Sequence, residues 1–217
     1  MGFGAGLAKK APGTFGTLVG LPLFLLIASL SFYTQLAIIS VLFLIGIYIC
    51  HKNADLKLNE LAATLGATLK THGACLALAE SCTGGMVAAA ITSIAGSSAW
   101  FDRGFVTYSN AAKMEMLDVA ESTLNRYGAV SEHTATEMAI GALQHSAANI
   151  SGSITGIAGP DGGSLEKPVG TVCFAWAGVN IQPTTETCLF HGDRNAIRQQ
   201  AAIHLMAGFL AILNAQA

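Results

Sequence analysis

The sequence predicts an α/β fold: a layered domain with a mixed β-sheet and flanking helices over residues 55–217, preceded by a hydrophobic helical hairpin over residues 1–54. Three observations predict it. From Ala11 to Cys50 there is no Asp, Glu, Lys, Arg or His, and the first acid of the chain is Asp55. Beyond that point short apolar runs alternate with segments of helical periodicity, the pattern of strands layered on helices. Several of the apolar runs end in Gly-rich loops, as strand ends do.

A chain of 217 residues has room for one ordinary domain and an appendage. Charged residues make up 11% and hydrophobic ones 52%, against roughly 25% charge in a typical soluble domain, which excludes a disordered or coiled-coil protein. A net charge of -2 gives no attraction to polyanions, so no nucleic-acid partner is expected. The five cysteines, Cys50, Cys75, Cys82, Cys173 and Cys188, form no CxxC pair and no Cys/His ligand cluster. They suit reduced thiols in the cytosol, with no structural zinc.

Taken in order, the acid-free segment comes first. As one helix it would run about 60 Å at ~1.5 Å per residue, twice a hydrocarbon core of ~30 Å. It therefore divides into two crossings, residues 18–32 and 36–50, with Tyr33, Thr34 and Gln35 at the turn. Lys9 and Lys10 at one end and His51 and Lys52 at the other place both termini on the cytoplasmic side. Each run is short for a full span, which leaves a shallow re-entrant hairpin open. A secretory signal is disfavoured by the second apolar run and by the lack of a small-x-small cleavage site.

In the second part, Leu58, Leu61, Leu65 and Leu69 share a helical face, and Gly73 stops the helix. Residues 74–79 read as a buried strand, and Gly84 and Gly85 open a small-residue helix to about Ile94. Residues 101–107 are strand-like, residues 110–127 helical with interruptions, and Ser131 caps a helix to about Ala147. Three strands follow, at 150–157, 170–177 and 184–190. A Gly/Pro-rich loop and a turn at 180–183 separate them. Asp193 caps a last helix with Ile197, Ala201, Leu205 and Ile212 on one face.

Three loops at strand ends could carry chemistry, since ligands of open α/β sheets collect there. The first, residues 79–85, sets Ser81 and Thr83 beside backbone N–H groups of Thr83, Gly84 and Gly85 at a helix N-terminus, a site for a phosphate or a developing oxyanion. The second presents Tyr108 and Lys113. The third, residues 155–163, contains Thr155, Gly159, Asp161 and Gly162, and Arg194 offers a charged donor for a phosphate. Plainer readings stand beside these: Ser81 and Thr83 as helix caps, the glycines as turn residues, Lys113 as a solvated lysine. Cys82 is either inert packing or an alternative nucleophile. Of the six histidines, only His191 sits in a suggestive setting, beside Gly192-Asp193-Arg194. No GxxxxGK[ST], strand-linked GxGxxG or HExxH occurs, so ATPase, Rossmann and zincin readings lack support.

Seven blocks in order resemble the CinA C-terminal domain family, most closely its stand-alone nicotinamide-nucleotide amidases, over about residues 61–207. They are AESCTGG at 79–85, AGSSAWF at 95–101, RGFVTYSN at 103–110, GAVSE at 128–132, GIAGPDGG at 156–163, KPVGTV at 167–172 and GDR at 192–194. The resemblance implies hydrolysis of the carboxamide of nicotinamide mononucleotide in pyridine-nucleotide salvage, without metal or cofactor, by a homo-oligomer. It also implies that Ser81, Tyr108 and Lys113 are the catalytic serine, tyrosine and lysine; acyl transfer then needs Ser81 as nucleophile, a neutral Lys113 in contact with it to take its proton, and Tyr108 to relay or orient that proton. The larger N-terminal domain of the family's two-domain members is missing, and its activities are not carried over. A non-catalytic nucleotide-binding module is the alternative. The opening, GFGAGLAKKAPGTFGTL at residues 2–18 followed by Leu21-Pro22, resembles phosphatidylglycerophosphatase A. Phosphoryl transfer of that kind needs carboxylates to hold Mg²⁺, and none precedes Asp55. That leaves an anchor or a fusion remnant, and the expected location is a cytoplasmic catalytic domain attached to the inner membrane.

Overall fold

The computed structural model describes residues 30–179 and 181–215; side chains are described outside 47–55. The chain divides into two units, Met1–Asp55 and Leu56–Ala217. The first predicted crossing, residues 18–32, lies almost wholly outside the described residues. The start of the second is corrected. Tyr33, Thr34 and Gln35 form no turn but the first turn of helix α1 (Phe32–Thr71). Ser31 precedes it and caps it, its carbonyl accepting from Gln35 N at 3.0 Å and its hydroxyl from Thr34 N at 3.4 Å. Among the described side chains, the apolar stretch of α1 is Phe32–Gly46. Among the described residues, the one helix long and apolar enough to cross a membrane is the last, which is a core helix.

Within residues 56–217 the elements are β1 (Leu76–Glu80), α2 (Met86–Thr92), β2 (Phe101–Val106), α3 (Asn110–Leu117), α4 (Glu121–Tyr127), α5 (Glu132–Gln144), β3 (Ile150–Gly156), β4 (Thr171–Gly178), β5 (Ile181–Leu189) and α6 (Arg194–Asn214). The strands form one mixed sheet in the order β2-β1-β3-β4-β5. β1 runs parallel to β2 and β3, while β4 and β5 add antiparallel. The α/β fold with a mixed sheet is therefore present as the sequence predicts. The interrupted helix at 110–127 resolves into α3 and α4, parted where Asp118 takes a left-handed φ of 55°. β5 begins at Ile181, three residues earlier than expected, and carries Pro183. An edge strand tolerates a residue without an N–H, which the sequence reading took for a turn.

One face of the sheet packs on α6, α2 and the end of α1. Leu58, Ala62, Leu65 and Leu69 are buried there with Ile197, Ala201, Leu205 and Phe209. Leu61 and Ile212 are only partly buried; the buried stripe of α6 ends on Leu213.

The other face is lined with small residues, among them Ala77, Ala79, Ala175 and Ala177, and α5 lies against it. A ladder of hydroxyls fixes its register. Ser151, Ser153 and Thr155 alternate along β3 and donate to the carbonyls of Ala139, Ala135 and Ala129 at 2.6, 2.5 and 2.7 Å. Two strand residues advance ~6.7 Å and four helical residues ~6 Å. Ser151 and Ser153, two apart on β3, thus meet carbonyls four apart on α5, while Thr155 reaches Ala129 in the segment before that helix, and every buried hydroxyl in the ladder has an acceptor.

Candidate active site

The C-terminal ends of the parallel strands β1, β2 and β3 lie side by side at one edge of the sheet. The ladder continues one step past them: Ser81 N donates to Ile154 O at 2.9 Å and Thr107 N to Glu80 O at 2.8 Å. Ser81 and Thr107 are thereby set next to each other although 26 residues of chain connect them. Ser109 caps α3 by accepting from Ala112 N, and the first turns of that helix bring Lys113 back over the strand ends.

Lys113 is 1% exposed and Ser81 7% exposed. The Lys113 Nζ lies 2.9 Å from Ser81 Oγ and donates to Thr107 O at 2.8 Å. Burial pushes the amine below its ordinary lysine value, opposed more weakly by the neighbouring Cys82 sulfur. Cys82, the alternative nucleophile, has its thiol pushed up to about 12, chiefly by burial. It is a protonated thiol at neutral pH, and a poor nucleophile.

Ser81, Cys82, Tyr108, Lys113, Thr155 and Arg194 line a pocket of about 170 Å³. That is smaller than the ~300 Å³ at which ligand pockets commonly begin, so it admits the reacting end of a ligand and leaves the rest at its mouth. Tyr108 stands at the rim, 64% exposed. Its hydroxyl accepts from Arg194 Nη2 at 3.0 Å, and Arg194 Nη1 donates to Gly159 O at 2.6 Å. Tyr108 thus joins Arg194 across the opening; no hydrogen bond ties its hydroxyl to Ser81 or Lys113. Thr155 reaches the wall, with its hydroxyl committed to Ala129. Asp161 and Gly162 are exposed, outside the pocket lining. His191 is exposed as well, and its carbonyl accepts from Gln200.

The expectation for the helix N-terminus needs correcting. The amides of Gly84 and Gly85 are not available to a ligand: Gly84 N donates to Ser81 O at 3.1 Å and Gly85 N to Glu80 Oε2 at 3.0 Å. Glu80 is 1% exposed and also accepts from Val87 N at 3.2 Å and Ala88 N at 2.8 Å. A carboxylate from the strand end therefore already fills the first turn of α2, the place an anion would take. Within the loop 81–85, the amides of Cys82 and Thr83, immediately after Ser81, make no hydrogen bond to another residue. The hydroxyls of Thr83 and Thr107 are likewise buried without partners. Arg198, one turn beyond Arg194, closes the loop from outside by donating to Thr83 O at 2.5 Å.

Glu80 and Arg198 are absent from the sequence expectations. An acid at the end of an apolar strand, five residues before a Gly-Gly helix start, is the signal that Glu80 gave. Replacing Glu80 by Ala strips three amides of their acceptor, and hydrogen bonds to a charged group contribute about 1.5–3 kcal/mol each. Glu80→Ala is expected to destabilise the domain by about 3 kcal/mol or more, and Glu80→Gln by less, read as the shift in urea midpoint.

A mixed five-stranded sheet with a polar pocket at its parallel strand ends defines the α/β class of this domain, and the comparisons place it further. The family model for the CinA C-terminal domain matches residues 58–213, and that for phosphatidylglycerophosphatase A matches residues 1–60. The nicotinamide-nucleotide amidohydrolase PncC of Enterobacter agglomerans is 59% identical over 150 residues, 69% of this chain and 92% of that protein. The PncC of Pseudomonas putida is 46% identical over 70% of this chain and 95% of its own. Among solved structures, the competence/damage inducible protein CihA of Agrobacterium tumefaciens superposes with a TM-score of 0.70 at 45% identity, covering 73% of this chain and 96% of its own. The chain belongs to the CinA C-terminal domain family.

Proposed function

We propose that this chain hydrolyses the carboxamide of nicotinamide mononucleotide to nicotinate mononucleotide and ammonia, in pyridine-nucleotide salvage. The observation that carries this reading is the 2.9 Å approach of Lys113 Nζ to Ser81 Oγ in a buried setting. The names of relatives up to 59% identical supply the substrate.

An amide carbonyl is a weak electrophile, so its hydrolysis needs an activated nucleophile and a held oxyanion. Neutral Lys113 accepts the Ser81 hydroxyl proton while one of its N–H groups stays on Thr107 O. Ser81 Oγ bonds to the carboxamide carbon, and the oxyanion takes the free amides of Cys82 and Thr83. Protonated Lys113 then gives its proton to the departing nitrogen, which leaves as ammonia. Water, deprotonated by the same amine, attacks the acyl carbon; the ester C–O bond breaks, Lys113 returns the proton to Ser81 Oγ, and the acid departs and ionises to the carboxylate. Tyr108 and Arg194, already joined at the rim, orient the nucleotide; the guanidinium meets the 5′-phosphate. Tyr108 acts here in positioning, not as a proton relay.

Ammonia release from the purified full chain supplied with nicotinamide mononucleotide tests the proposal. Turnover is expected, and its absence with this and related pyridine nucleotides would leave a nucleotide-binding module instead.

The exposed apolar side chains of α1, among them Phe32, Tyr33, Leu36, Phe43 and Leu44, favour one addition, attachment of the first unit to the inner membrane. Carbonate-washed membranes should retain the chain; recovery in the soluble fraction refutes the attachment.

A further inference from the structure

Away from the pocket, on the outer strand β5 and the adjoining helix α6, three unlike ligands converge. Glu186 and Cys188, two apart on β5, point to the same side of the strand. His204 of α6 reaches them there. His204 Nε2 lies 3.0 Å from Glu186 Oε2 and 3.6 Å from Cys188 Sγ, and Cys188 Sγ lies 3.5 Å from Glu186 Oε1. All three ligand atoms fall within 4.8 Å of one another.

We propose that Glu186, Cys188 and His204 form a binding site for a zinc-class divalent cation, clamping β5 to α6. Zinc bonds thiolate sulfur at ~2.3 Å and imidazole nitrogen or carboxylate oxygen at ~2.0–2.2 Å, in a tetrahedron. The edges of such a tetrahedron are about 3.3–3.6 Å; here His204 Nε2 and Cys188 Sγ are 3.6 Å apart, and each lies close to a different oxygen of Glu186, at 3.0 and 3.5 Å. A cation can enter once the exposed Glu186 carboxylate turns one oxygen toward both other ligands, within the 4.8 Å that the three ligand atoms already span. The ligand set of one soft sulfur, one imidazole and one carboxylate selects zinc or cobalt over calcium and magnesium, which prefer oxygen alone.

The histidine is held for the purpose. Its ring sits against Phe174, with centroids 4.7 Å apart, and is flanked by Phe190 at 5.9 Å and Trp176 at 6.1 Å. That wall fixes the imidazole and shields one side of the site. Cys188 is half-buried and the Glu186 carboxylate is open to solvent, which gives the ion a way in. No fourth His, Cys, Asp or Glu joins the group among the described residues, so the last position of the tetrahedron is left to water. On binding, the sulfur–metal bond forms as the thiol proton passes to solvent. Sequence spacing hid the group, because its members come from a strand and from the third turn of the following helix.

Cobalt(II) titration of the full, untagged chain tests the site without any turnover, so its outcome is independent of the amidase reading. One equivalent should bind with a thiolate-to-cobalt absorption band in the near ultraviolet, and zinc should displace it. Cys188→Ser should abolish the band. Cys188→Ser, His204→Gln and Glu186→Gln should each weaken binding by about tenfold or more, since even the outer partners of metal ligands are worth 10–100-fold. Zinc should raise the melting temperature of the wild type and not that of Cys188→Ser. Absence of the band, or equal affinity in wild type and Cys188→Ser, would overturn the proposal and leave a hydrogen-bonded surface trio.

Discussion

Ser81→Ala is expected to lower ammonia release from nicotinamide mononucleotide by about 10⁴-fold or more, the scale on which nucleophilic serines fail when removed. The substitution deletes one oxygen from a position that is 7% exposed and leaves Lys113 still bonded to Thr107 O, so the fold should survive and the loss should be chemical. A covalent route also predicts order. In single-turnover mixing, ammonia should appear before the acid product, because the acyl-serine forms first. Cys82→Ala separates the two adjacent nucleophiles. With its thiol pushed up to about 12, Cys82 contributes almost no thiolate near neutrality, and its removal should change kcat by less than about tenfold. Near-full turnover in Ser81→Ala, with collapse in Cys82→Ala, would transfer the role to the thiol.

Most of the fold was legible because its signals are local. The stripe of leucines before Gly73, the Ser131 and Asp193 caps and the short apolar runs each depend on neighbours within a few residues. β5 was read short because Pro183 looks like a turn unless the strand is known to lie at an edge. The break at Ser31 was misplaced for a similar reason: Tyr33, Thr34 and Gln35 are polar, yet Ser31 caps them into a helix.

In the site, Ser81 and Lys113 emerged from the motif and the family resemblance. Their contact is what the acyl-transfer chemistry requires; the geometry that achieves it was not legible, because it depends on β1 and β2 pairing in parallel, which brings two strand ends together. The assignment of Gly84 and Gly85 as anion donors failed on a long-range fact as well. From sequence, Glu80 is simply the residue before Ser81; only the turn back into α2 shows its carboxylate filling the helix N-terminus. The Cys/His ligand group was invisible for want of spacing, since Cys188 and His204 meet across a strand-to-helix corner.

Lys113 carries the second large effect and the clearest dependence on pH. Lys113→Met should lower kcat by about 10²–10⁴-fold, the usual worth of a general base. Lys113→Arg should be nearly as inactive, because a guanidinium stays charged and cannot take the serine proton. An activity that survived in the arginine variant would mean that the positive charge, not the free base, is what matters. In the wild type the neutral amine is the competent form, so kcat/KM should rise with pH and level off at a value below the ordinary lysine range.

Stability should follow the same group. The unfolded chain holds the proton up to the ordinary value of 10.5, whereas the folded chain gives it up earlier, because burial disfavours the ammonium. Between those two points the unfolded state binds more protons, and the folded state gains stability as pH rises. Lys113→Met has no proton to bind at this position in either state. Urea midpoints of wild type minus Lys113→Met should therefore climb with pH across the alkaline window. Parallel curves for the two proteins would mean that the amine is not displaced by burial, and the free-base mechanism would lose its physical ground.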